Sequence, residues 1–153
     1  MIPFHRKRDG IHVTLAPHEQ ALVRDLATQL ITLLGEGDRT DAALSRLLPP
    51  GYSGDEEADA EFRRLTTDDL TAGKIANART VLSTLGDKKE PLDAAGEQAW
   101  LRSLTDIRLT LGARLGVTAD GFPPTRDQQV LMQHRVYDWL GFVQEVFVRA
   151  LDR

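Results

Sequence analysis

The sequence predicts a mainly α protein: a helical bundle of about four long and two short helices with an N-terminal β-hairpin. Three observations carry that expectation. Apolar residues recur at three- and four-residue spacing through most of the chain. Prolines, aspartates and glycines stand at the ends of those stretches, where helices start and stop. Period-two alternation is confined to the N-terminal segment. A chain of 153 residues is expected to form one domain over 1–153, with the hairpin in 1–15 and the bundle in 17–151.

Ile2 to Lys7 and Ile11 to Leu15 flank Arg8-Asp9-Gly10, and an Asp-Gly pair suits the backbone of a tight hairpin turn. Ile11, Val13 and Leu15 alternate with His12 and Thr14, which makes one face apolar. Two strands alone are marginally stable, so the hairpin must dock on the helices or pair with another chain. Pro17 sits where a first-turn proline belongs, with Glu19 behind it and a stripe of Leu22, Val23, Leu26, Leu30, Leu33 and Leu34 ending at Gly35. A loop through Asp38 leads to a short helix from Asp41 to Leu48, stopped by Pro49-Pro50-Gly51.

Asp55 to Arg64 reads as a short solvent-facing helix, acids early and arginines late as the helix dipole prefers. Thr67 then caps a separate helix to Leu85, with Leu70, Ile75, Ala78 and Leu82 inward and Gly86 as the stop. After the charged linker Asp87 to Pro91, Asp93 caps a helix to Leu115 that buries Trp100, Leu101, Leu104, Ile107 and Leu111. The last helix, Thr125 to Leu151, carries Met132, Val136, Trp139, Leu140, Val143, Phe147 and Ala150 on one face. Leu131 and Phe142 lie on one flank of it and Tyr137 on the other. So broad an apolar surface marks a central or dimer-forming helix, and Leu131, Tyr137 and Phe142 are its candidate interaction residues.

Charge and composition exclude several functions. With 23 acidic and 19 basic side chains, the net charge of -4 argues against general affinity for nucleic acid or anionic membranes. Absence of cysteine removes disulfides, thiolate metal sites, a cysteine nucleophile and any thiol switch within these residues. No apolar run resembles a signal peptide or a membrane span, so a cytoplasmic location is expected.

The chemistry-bearing candidates are few. His5, His12, His18 and His134 lack paired metal-ligand spacing; His5 and His12 can face each other across the hairpin, but Arg6, Lys7 and Arg8 beside them oppose a cation. No metal or cofactor is expected. Arg6, Lys7 and Arg8 form the one concentrated basic patch, read as charged edge strands or as a contact for phosphate, DNA or an acidic partner. A DNA-reading helix-turn-helix is not expected, because the short middle helices are acidic and interrupted by prolines. Arg108 projects onto the apolar face of its helix, which calls for a partner: a structural ion pair, or an anionic ligand in a small enzyme or binding domain that also uses nearby carboxylates. No nucleophile elbow, phosphate loop or calcium loop is present.

Several motifs together are familiar. Asp9-Gly10 in the hairpin, Leu26 to Leu34, Leu47-Leu48-Pro49-Pro50-Gly51-Tyr52, Trp100-Leu101, Ile107-Arg108-Leu109-x-Leu111-Gly112-x-Arg114-Leu115 and Tyr137-x-Trp139-Leu140 before Gln144-Glu145 occur in an order that resembles the AosR-like actinobacterial domain-of-unknown-function family. That family is commonly encoded near the Clp-protease adaptor ClpS, and includes non-canonical regulators of oxidative-stress transcription. The resemblance spans nearly the whole chain. It implies a non-enzymatic protein that works by binding a protein partner, a sigma factor or another transcription component. Regulation by a cysteine pair within the family has no counterpart here. Self-association into a homodimer is a further expectation, from the breadth of the last helix.

Overall fold

The computed structural model describes residues 2–37, 41–48, 56–86 and 90–152; within the helix that starts at Glu56, side chains are described from Thr67 onward. The expected stop at Pro49-Pro50-Gly51, the solvent-facing character of Asp55 to Arg64 and most of the Asp87 to Pro91 linker lie outside those residues. The protein is mainly α, with five helices and an N-terminal two-stranded hairpin among the described residues.

Strands β1 (Phe4–Lys7) and β2 (Gly10–Val13) pair antiparallel, with Phe4 opposite Val13, His5 opposite His12, Arg6 opposite Ile11 and Lys7 opposite Gly10. The turn residues are Arg8 and Asp9, and it is Gly10 that takes the positive φ, at 136°. A side chain at Gly10 would also meet Pro91 Cβ at 3.0 Å. That close approach lets the Leu92 N–H donate to the Ile11 carbonyl at 2.8 Å, so the hairpin is sewn to the segment before the fourth helix. Of the two ways to stabilise it, docking on its own helices is the one the fold uses. Phe4 and Ile11 are buried, and Phe4 packs edge-on against Trp100 and Phe147 at ring separations of 5.4 and 4.7 Å.

Helix α1 (Pro17–Glu36) starts as expected, with Glu19 accepting the Ala16 N–H at 2.9 Å. It runs through Gly35, however, and the Gly37 N–H closes on the Leu33 carbonyl. Gly35 has open space where a side chain would be, so it weakens the last turn without ending it. Asp41 caps α2 (Ala42–Leu47) by accepting from the Ala43 N–H. The acidic segment and the helix after it are one element, α3 (Glu56–Thr84), instead of two. No proline or glycine stands between Glu56 and Thr67, and mid-helix Thr66-Thr67 costs little propensity, so nothing breaks the helix there. Asp93 caps α4 (Ala94–Leu115) and left-handed Gly116, φ 71°, ends it, both as the sequence predicts. Asp127 caps α5 (Gln128–Leu151), which therefore begins three residues after Thr125.

The hub of the bundle is α4, not α5. Helix α4 packs against α1, α2, α3 and α5, and α1 packs on α3, whereas α5 rests mainly on α4 and β1. Gly96, Ala99, Ser103 and Gly112 are all buried in α4. Small side chains there let neighbours approach from several directions, and they do not register as an apolar stripe. On α5 only Leu140, Val143, Phe147 and Ala150 are buried, while Met132, expected on the inner face, is 60% exposed. The central reading of α5 is thus corrected: its breadth is apolar surface left over after packing.

Candidate functional site

Arg108 is half-buried on α4 and lines a cleft of about 230 Å³ shared with α2, α5 and the loop after α4. Its Nη1 donates to Gln144 Oε1 at 3.1 Å, and Gln144 Nε2 donates in turn to Thr105 Oγ1 at 2.8 Å. The guanidinium carbon lies 4.9 Å from the centre of the Tyr137 ring, within cation–π range. Tyr137 is itself held by an edge contact to Phe122, which stacks on His134 at 3.8 Å. Two glycines make room. An added Cβ at Gly141 would lie 3.3 Å from Arg108 Nη2, and one at Gly112 would lie 3.2 Å from the Tyr137 ring.

Among the described residues Arg108 forms no ion pair. Among the described residues it has one hydrogen bond, to a neutral glutamine, and its Nε–H is buried without a partner. Arg46 from the last turn of α2 lines the same cleft, so two cations face a space with no carboxylate among the described residues of its lining. Three acids of α4 and α5 are engaged elsewhere: Glu97 lies 3.9 Å from Arg6, Glu145 bonds Arg149, and Asp106 bonds Lys74 at 2.8 Å. Such an arrangement can hold an anion. It offers no acid–base carboxylate beside Arg108.

The three hairpin cations differ in placement. Arg6 turns inward, where its Nε donates to the Ala150 carbonyl at 3.0 Å in the last turn of α5, a favourable place for a cation. Lys7 and Arg8 stay exposed at the turn. His12 is buried and pairs with Asp9 at 2.8 Å, which holds the Asp9 carboxyl below its ordinary range through that hydrogen bond. Among the described residues no group of three or more potential ligands is placed to hold a metal ion.

Of the three residues singled out on α5, Phe142 is 51% exposed, while Leu131 and Tyr137 are half-buried. They are not brought together: Tyr137 faces the Arg108 cleft, and Phe142 lies on the opposite flank with half-buried Trp139 and Val146. Sequence reasoning missed Arg46, Thr105 and Gln144 as cleft residues. Spacing within one helix cannot reveal a site assembled from three, although Gln144 and Gly112 sit within motifs quoted above.

Asp106 is the other perturbed group. Burial pushes its carboxyl above the ordinary value, against the pull of the Lys74 ammonium, and among the described residues its Oδ2 has no partner, nor does the buried Ser103 hydroxyl one turn away. No helix among the described residues is long and apolar enough to cross a membrane.

Comparison with known proteins adds what geometry does not. Residues 1–151 match the family described as domain of unknown function (DUF2017). Proteins named oxidative stress regulator AosR from Mycobacterium tuberculosis and Mycobacterium bovis are 29% identical to this chain over 94% of its length and 84% of theirs. Those alignments span 183 positions against 153 residues here, so the relatives hold inserted segments that this chain lacks. No solved structure matches.

Proposed function

We propose, from the premise that this chain belongs to the DUF2017 family, that it is a non-enzymatic cytoplasmic regulator acting through a protein partner in the transcriptional response to oxidative stress. The observation that carries the reading is the near full-length similarity to relatives named as oxidative stress regulators. A regulatory role follows from those names; the partner and the transcriptional step are the proposal. Two features agree with it. Among the described residues the Arg108 cleft has no paired carboxylates of the kind that hydrolytic or proton-transfer chemistry uses. The outer flank of α5 leaves Phe142, Trp139 and Val146 beside one another with arginines at Arg135 and Arg149, a mixed apolar and cationic surface of the kind that binds proteins.

A sigma factor or another transcription component is the proposed partner. With no cysteine in its sequence, this chain does not read oxidation through a thiol of its own, so in this scheme the oxidant-sensitive group belongs to the partner. The test is affinity capture from native cytoplasm with the wild-type chain and with Phe142→Glu. Wild type should enrich a sigma factor or RNA polymerase, and the variant should lose it while keeping its melting temperature. Enrichment of no transcription component by the wild-type chain would overturn the proposal. Light scattering across concentration separates binding a partner from binding a second copy through the same flank.

A further inference from the structure

The Arg108 cleft holds its charge ready without neutralising it. A half-buried guanidinium ordinarily finds a carboxylate, because desolvating a cation without a counter-charge is costly. Here residue 144, which receives the Nη1 hydrogen bond, is a glutamine, and Thr105 fixes that glutamine from behind. The Tyr137 ring lies 4.9 Å from the guanidinium carbon, and Gly141 leaves Nη2 its space. Arg46 adds a second cation at the mouth, in a chain whose overall charge is negative. Among the described residues every contact orients the cation and none discharges it.

We propose that this cleft binds a small organic carboxylate. A planar guanidinium matches a carboxylate through two parallel N–H···O bonds, which a compact ammonium cannot do. Leu109, Ala113 and Val117 line the remaining wall, so the ligand has an apolar body behind its charged head. The volume, about 230 Å³, suits a molecule smaller than a nucleotide, at or below the lower end of ordinary ligand pockets. Inorganic phosphate would satisfy the arginines but leave the apolar wall uncovered. The site is separate from the outer flank of α5, so it supplies an input to the proposed regulator without occupying the partner surface.

The test follows arginine Nε–H signals by NMR while the full chain is titrated, at constant ionic strength, with benzoate, hexanoate, phosphate or chloride. The Arg108 Nε–H should shift saturably with a monocarboxylate, and Arg46→Gln should weaken that binding by about tenfold, as loss of one charge-assisted contact does. Arg46 is exposed, so this variant keeps the fold even if Arg108→Gln does not. Shifts that are linear and match those with chloride would refute the site. Unchanged affinity in Arg46→Gln would refute the two-cation recognition, and tighter binding of phosphate than of either carboxylate would refute the ligand class.

Discussion

At the scale of single residues, the fold depends on polar atoms buried with one partner each. Trp100 is fully buried, stacks on Phe147 at 6.4 Å and donates its indole N–H to Thr84 Oγ1 at 2.7 Å, tying α4 to the end of α3. Thr84→Val keeps the shape and removes the acceptor, so it should cost about 1–3 kcal/mol, the usual penalty of a buried unsatisfied donor, read by chemical denaturation. Asp106 gives a pH-dependent counterpart. Because burial raises its folded-state pKa above the ordinary value of 3.8, the native protein holds that proton more tightly than the unfolded chain does. Its contribution to stability is therefore fully present below about 3.8 and is lost as pH rises through the raised folded value. The stability of the wild type relative to Asp106→Asn should fall across that window; a difference that stays flat with pH would show that the carboxyl is not perturbed.

At the scale of elements, the two cleft glycines should behave differently. Gly112→Ala meets a Tyr137 ring held between Arg108 and Phe122, which has little room to yield, and overpacking of this kind costs about 1–3 kcal/mol. Gly141→Ala meets only the far end of a flexible arginine, and alanine is the better helix former, so stability should change by less than about 1 kcal/mol while carboxylate affinity drops. Thermal melts of both variants, with the NMR titration of the second, check the pair. Helix ends were legible in part: Asp93 caps α4 through its side chain and Gly116 stops it in the left-handed region as read, and α2 starts at the expected Asp41, whereas Asp127 caps α5 beyond the expected Thr125 and Gly35 does not end α1. Caps are local chemistry, so residue type alone reveals them. The merging of the acidic segment into α3 was not legible, since a threonine suits a cap and is also tolerated inside a helix. The cleft was half legible. Arg108 stood out as a cation on an apolar face, but its neutral partner Gln144 lies 36 residues further on, and the arrival of Arg46 depends on where α2 lands.

At the scale of the whole molecule, one hydrophobic cluster draws on the hairpin and all five helices, with α4 as the element they share. What packing leaves over is as informative as what it covers. Phe142→Glu changes a half-exposed side chain outside that cluster, so its stability should stay within about 0.5 kcal/mol of wild type, and denaturation will show whether loss of partner capture is a binding effect. The hairpin closes the cluster across the greatest sequence distance: Arg6 bonds a carbonyl 144 residues away, and Phe4 rests on Phe147. That closure carries a cost in time. At the usual pace of synthesis, roughly 5–20 residues per second, the strand bearing Phe4 is made about seven to thirty seconds before the helical turn that covers it. During that interval the apolar side of the hairpin lies open on the nascent chain, so a segment made long before its partner helix is among the last to find its place.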